Sequence, residues 1–209
     1  LATHLAGRYI EFHISSLSYS EFLKAHQLEN NNKTLNRYIK YGGLPYLIHL
    51  PFDDEIIYGY LKSIYNTIIL KDIVSRYNIR DIDFLERLLE YLSDNLGSYV
   101  SSKKISDFLK SQRLSLSVNT VMNYLKYLSY SFFINKVRRF DIIGKKRFEI
   151  NEKYFFSDLG LKHSIVPFQG NQIGNIFENL VYNQLIYLDY QVFIGKHQDR
   201  EIDFVIQKG

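Results

Sequence analysis

The chain has 209 residues, with 26 Lys+Arg against 22 Asp+Glu for a formal net charge of +4, and 46% of its residues are apolar. That apolar share supports a packed core and excludes an intrinsically disordered chain, and no apolar run approaches the ~18 uncharged residues that a membrane span needs. There is no cysteine, which excludes disulfide scaffolds, thiolate zinc sites and cysteine nucleophiles and fits a reducing, cytoplasmic setting.

In chain order, Leu1–Ala6 reads as the tail of a helix stopped by Gly7, and Tyr9–Ile14 as a short strand. Ser18 stands three residues before Glu21, the spacing of a capping box that opens a helix. Asn30–Asn32 reads as a loop. Gly42, Gly43 and Pro45 break Tyr38–Leu50 into two short helices around a turn. Asp53 and Asp54 start a helix that keeps Ile57, Leu61, Ile64 and Ile68 on one side and runs to about Arg76. Leu85, Leu88, Leu89, Leu92 and Leu96 form the clearest helical stripe, ended by Gly97. Ser101 or Ser102 caps a short helix, a polar turn follows at Gln112–Ser115, and Ser117 caps the next helix. Two β-prone runs come next, Phe133–Phe140 and Arg147–Tyr154, then a helix over about Ile176–Leu188 and strands at Gln191–Gly195 and Glu201–Gln207.

The charge is uneven. Residues 101–153 hold 12 Lys+Arg against 4 Asp+Glu, a net of +8, and the remainder carries −4. The order helix, short helix, turn, helix, basic hairpin over 83–154 is that of a winged helix-turn-helix. Its third helix would offer Asn119, Thr120, Asn123, Lys126 and Tyr127 to base edges or phosphates, and its wing would bring Arg138, Arg139, Lys145, Lys146 and Arg147 to the DNA backbone. A solvated basic face or a protein-docking winged helix fits the same pattern.

Near the end, Glu178 lies on a helix and Asp203 on a strand, either the first two elements of an oxygen-ligand site for magnesium or an ordinary surface glutamate and strand-edge aspartate. Strict alternation puts Glu201, Asp203 and Val205 on one strand face and Ile202, Phe204 and Ile206 on the other. Lys208 is no stand-in for the lysine such a site uses. The six histidines show no ligand spacing.

Several short motifs recur in one order: Leu5-Ala6-Gly7-Arg8-Tyr9, Leu17-Ser18-Tyr19-Ser20-Glu21-Phe22-Leu23, Tyr41-Gly42-Gly43-Leu44-Pro45, Phe177-Glu178-Asn179-Leu180-Val181 and Glu201-Ile202-Asp203-Phe204-Val205. On these the chain resembles the later part of a prokaryotic AAA-type ATPase of the archaeal-ATPase-like group that ends in a domain of unknown function. The resemblance implies an α+β, predominantly helical chain. Residues 1–17 would end the ATPase core and 18–80 would be a helical lid region. Residues 81–160 would be the winged helix-turn-helix, and 165–209 a truncated PD-(D/E)xK restriction-endonuclease-like unit holding magnesium on Glu178 and Asp203. Arg8 would sense nucleotide. Ser16 stands where the family often has proline.

The resemblance further implies that the chain is an internal fragment of a protein that binds ATP and magnesium, with the Walker motifs upstream. The fragment itself is then expected to bind no nucleotide tightly and to be inactive, because the strand carrying the acid and lysine is absent. DNA is the expected partner, with a protein partner through the winged helix as a further one and no membrane. The alternatives are a stand-alone winged-helix DNA-binding regulator and a winged-helix protein-interaction module.

Overall fold

Capping side chains set where most of the helices start. The computed structural model describes residues 12–112, 117–142, 146–198 and 200–208. Helix α1 (Tyr19–His26) opens on the complete Ser18/Glu21 capping box. Helix α2 (Asn32–Tyr41) is capped by Asn31, so the asparagine run is a helix start as well as a loop. A 3₁₀ turn at Pro45–His49 follows, and helix α3 (Asp54–Asn66) is capped by Asp53. The helix does not end there: a π-helical stretch, Thr67–Val74, carries it into α4 (Ser75–Tyr77). Helices α5 (Ile82–Asp94), α6 (Ser102–Ser111) and α7 (Val118–Tyr130) take Asp81, Ser101 and Ser117 as caps. The leucines expected to face inward on α5 are all at most 1% exposed. Residues 12–18 carry no regular structure, so the described part of the strand expected at Tyr9–Ile14 does not form. Arg8 and the helix expected at Leu1–Ala6 lie outside the described residues.

Strands β1 (Ile134–Asp141) and β2 (Lys146–Phe156) pair antiparallel. Helix α8 (Leu159–Ile165) and helix α9 (Ile173–Tyr187) precede strands β3 (Tyr190–His197) and β4 (Arg200–Lys208). All four strands form one mixed sheet in the order β2-β1-β3-β4, with β1 and β3 parallel at Arg139–Asp141. The hairpin expected to form a wing has its inner strand, β1, paired to β3 inside this sheet. The fold is α+β with helices in the majority, as expected.

Two glycine motifs lock together. The buried Asp158 carboxylate accepts hydrogen bonds from the N–H of Leu161 (3.1 Å), capping α8, and from the N–H of Gly43 (2.8 Å). Gly42, at φ +77°, lies so close to Asp158 and the Gly160 backbone that a Cβ there would overlap both. The Gly42-Gly43-Leu44-Pro45 motif is thus a docking surface for α8. Gly42→Ala is expected to lower stability by about 2–4 kcal/mol in urea unfolding. Gly59→Ala is the contrast, because the added methyl meets open space inside α3 and should leave stability equal or raise it by about 0.5–1 kcal/mol.

His163 on α8 is 2% exposed, and its Nδ1 lies 3.1 Å from the Lys40 carbonyl, to which the neutral ring donates. Burial first, then the neighbouring Lys162 charge, push its pKa down to about 3. The unfolded chain takes up this proton near pH 6.5 and the folded chain does not, so stability falls as pH drops from about 6.5 toward 3. The loss attributable to His163 between pH 7 and pH 5 is about 2 kcal/mol. Thermal unfolding of His163→Gln at the two pH values should show a correspondingly flatter dependence.

Candidate metal centre

The site forms where α9 crosses the sheet. Asn179, fully buried, clamps the helix to β2: the Phe156 N–H donates to Asn179 Oδ1 (2.8 Å), and Asn179 Nδ2 donates back to the Phe156 carbonyl (2.9 Å). Asn183, one turn on, adds bonds to the carbonyls of Phe156 and Ser157. With Asn179 fixed, the preceding residue, Glu178, points along the sheet toward its charged end.

Strand β4 supplies the other carboxylates through a bulge. Val192 pairs with Ile206 and Phe193 with Val205, but Gly195 pairs with Ile202. Three steps along β4 match two along β3, so one extra residue sits at Asp203–Phe204. The extra residue shifts the alternation. Glu201, opposite Lys196, joins the face of Val192 and Ile194, the side on which Phe204 packs its ring against Phe155 and Tyr182. The strict alternation expected from the sequence is corrected here: Glu201 and Phe204 share the helix side of the sheet.

Oxygen atoms of Glu178, Glu201 and Asp203 lie within 4.8 Å of one another. Glu178 and Asp203, the pair expected from the sequence, are brought together, and Glu201 joins them. The sequence reading missed a fourth member. Lys153 on β2, opposite Val137, is 4% exposed, and its Nζ donates to Glu178 Oε1 (2.8 Å) and Glu201 Oε1 (2.5 Å). The signal for it is its place two residues before Phe155: alternation puts this lysine on the core face of the strand. Lys208, at the other end of β4 opposite Tyr190, takes no part.

The electrostatics follow from three clustered carboxylates, two of which meet one ammonium. Burial pulls the Lys153 pKa down, but the hydrogen bonds and charges of Glu178 and Glu201 outweigh it and leave it above the ordinary lysine value. Burial raises the Glu178 pKa, and the charges of Asp203 and Glu201 raise it further against the pull of Lys153. The loop after α5 closes one side. Gly97, at φ +69°, comes so near that an added Cβ would sit 2.5 Å from Glu178 Oε2. The Tyr99 ring lies under Lys153 Nζ, 5.3 Å from its centroid.

The remaining expected residues are spread along the hairpin and α7. Asn119, Asn123 and Lys126 are exposed on α7. Thr120 is half-buried, with its N–H donating to Ser117 Oγ in the helix cap. Arg138 is exposed, while Arg139 is half-buried on the helix side of the sheet, 5.4 Å over the Tyr99 ring. Lys146 and Arg147 lie in β2 opposite Asp141 and Phe140, and Lys145 is outside the described residues.

A family model described as a domain of unknown function, DUF8612, matches residues 32–172. The chain belongs to this DUF8612 family. It is 35% identical to an uncharacterised protein of Haemophilus influenzae over 212 residues, covering all of this chain and 52% of that protein. It is 30% identical to the uncharacterised protein MJ1544 of Methanocaldococcus jannaschii over 221 residues, covering 99% of this chain and 49% of that protein. The chain thus spans about half the length of these curated relatives. No solved structure matches it.

Lys153 is the residue on which the cluster's stability turns. Lys153→Met is expected to destabilise the fold by roughly 3 kcal/mol in chemical denaturation, because it leaves Glu178 facing Glu201 and Asp203 unpaired. Adding Glu178→Gln should recover part of that loss, a coupling a double-mutant cycle measures directly.

Proposed function

We propose that this chain is the DNA-handling and regulatory part of an ATP-driven protein, and that Glu178, Glu201 and Asp203 hold a divalent cation next to Lys153 at a phosphodiester-processing site. The observation that carries the reading is the convergence of three carboxylates, one from α9 and two from β4, beside a buried lysine of β2 that bonds two of them. The donor set is all hard oxygen and exceeds its built-in cation in charge, which suits magnesium or manganese. A bound cation would polarise a phosphate oxygen. The Lys153 ammonium would then stand beside it to stabilise developing negative charge, and Glu178 would be positioned by the Asn179 clamp.

The sequence-level resemblance supports the wider assignment. Helices α5–α7 with the β1–β2 hairpin would form the winged helix, α1–α4 the lid region, and α9 with β3 and β4 the restriction-endonuclease-like unit. ATP hydrolysis belongs in this reading to residues that these 209 do not include. The curated relatives are about twice as long as the chain, room enough for a nucleotide-binding core. A protein-docking role for the three helices is favoured by one observation: Val118, Met122 and Tyr130 are exposed on α7 in line with Lys126.

Mn²⁺ titration of the chain, followed by isothermal calorimetry, should show one site that Glu178→Gln or Asp203→Asn weakens at least tenfold; absence of Mn²⁺ binding to the unaltered chain removes the metal reading. In the same preparations, reversing Arg138, Lys145, Lys146 and Arg147 to Glu should abolish duplex DNA binding and flatten its salt dependence. Salt-independent association of α7 variants with a protein instead would favour the docking role.

A further inference from the structure

We infer that the metal centre has a built-in subsite for a phosphate-type oxyanion, formed by Arg139, Tyr99 and Lys153, so that cation and anionic substrate are held side by side. This rests on the cation reading above. It names what sits next to the cation and adds two residues from outside the carboxylate-bearing helix and strand.

Arg139 pairs with Ile194 across the β1–β3 ladder, so it stands on the same sheet face as Lys153, Glu201 and the base of α9. Its guanidinium lies over the Tyr99 ring, which the Lys153 ammonium also faces. One aromatic ring therefore packs against two cations. The loop bearing Tyr99 is itself fixed, because the N–H of Val100 donates to the Glu152 carbonyl of β2 (2.9 Å).

Arg139 Nε is buried and has no hydrogen-bond partner among the described residues. A buried donor without an acceptor costs free energy, and a guanidinium offers its donors in a fork that matches a phosphate oxygen pair. Burial and the neighbouring Glu201 carboxylate keep the buried Tyr99 hydroxyl protonated. One charged donor, Arg139 Nε, is thus left over at the edge of a site whose second cation, Lys153, is held by two carboxylates. A cation shared by Glu178, Glu201 and Asp203 would relieve those carboxylates of their dependence on Lys153, freeing a second charged donor for the same anion. The ligand this donor set recognises is a phosphodiester or phosphomonoester oxyanion.

The test uses dimethyl phosphate as the anion and Mn²⁺ or Mg²⁺ as the cation, with the whole chain. The Nε–H resonance of Arg139 is identified by its disappearance in Arg139→Met, which keeps the apolar stem. Dimethyl phosphate should shift that resonance with or without Mg²⁺, and at lower concentration with it. Mn²⁺ bound at the carboxylates should broaden the phosphorus signal of dimethyl phosphate. Arg139→Met should weaken this anion effect about tenfold while changing Mn²⁺ affinity less than about twofold, and Arg139→Lys should restore part of it. Tyr99→Phe, which keeps the ring under both cations, should lose a smaller share. An Nε–H resonance indifferent to dimethyl phosphate, or broadening equal in Arg139→Met and the unaltered chain, overturns the subsite even where Mn²⁺ binds. A shifted resonance with no Mn²⁺ binding keeps the subsite and overturns only the cation reading.

Discussion

A lysine ammonium buried between strands has to be paired where it stands, and Lys153 sets that constraint for the C-terminal half of this fold. Removed from water, its charge is tolerable only with carboxylates in hydrogen-bond contact. The two that answer it come from different elements, Glu178 from α9 and Glu201 from β4. One side chain of β2 therefore ties the helix and the far edge strand to each other. The Asn179 clamp and the β4 bulge are the two devices that make this possible. Without the clamp, α9 could slide along the sheet. Without the bulge, Glu201 would fall on the face away from the helix, and Lys153 would be left with Glu178 alone.

Neighbouring positions on α9 divide the work. Consecutive helical residues point about 100° apart, so Glu178 and Asn179 cannot face the same place. Asn179 is wholly buried against the Phe156 backbone, while the Glu178 side chain keeps 14% of its surface. Burying an amide with both its polar atoms bonded has little net cost, and it fixes the adjacent carboxylate to within the play of its own rotamers. The sheet face below shows the same division. Val137, Phe155, Val192 and Ile194 form an apolar half with Tyr182, and the charged residues gather at the end beyond it.

Much of the helical architecture was legible in the sequence because it is written in side chains that act locally. Ser18, Asp53, Ser101 and Ser117 each bond the backbone three residues on, and the α5 leucines repeat at the helical period. Helix α8 was not legible for the opposite reason. It is seven residues long and buried on nearly every side, so Lys162 and His163 sit inside beside Leu161 and no amphipathic period exists to read. The π-helical stretch hides likewise, since its apolar residues keep an approximately helical spacing. At the site, Glu178 and Asp203 stood out as acids on a helix and a strand. Glu201 was placed on a face by an alternation that one inserted residue overturns, and a bulge leaves no mark in composition. Lys153 was absorbed into a basic segment of 12 cations, where excess charge suggested a surface. Its apolar neighbours on the same strand face argued for the interior.

The arrangement also links the three-helix region to the charged site without a flexible joint between them. Helix α5 ends in the turn at Gly97, whose backbone lies against Glu178, and two residues later Tyr99 lies under Lys153 and Arg139. The chain then bonds to β2 through Val100 before α6 begins. Any displacement of α5 relative to the sheet must therefore move Gly97 toward or away from a carboxylate with which it is already in contact, and must move the ring that packs against both cations.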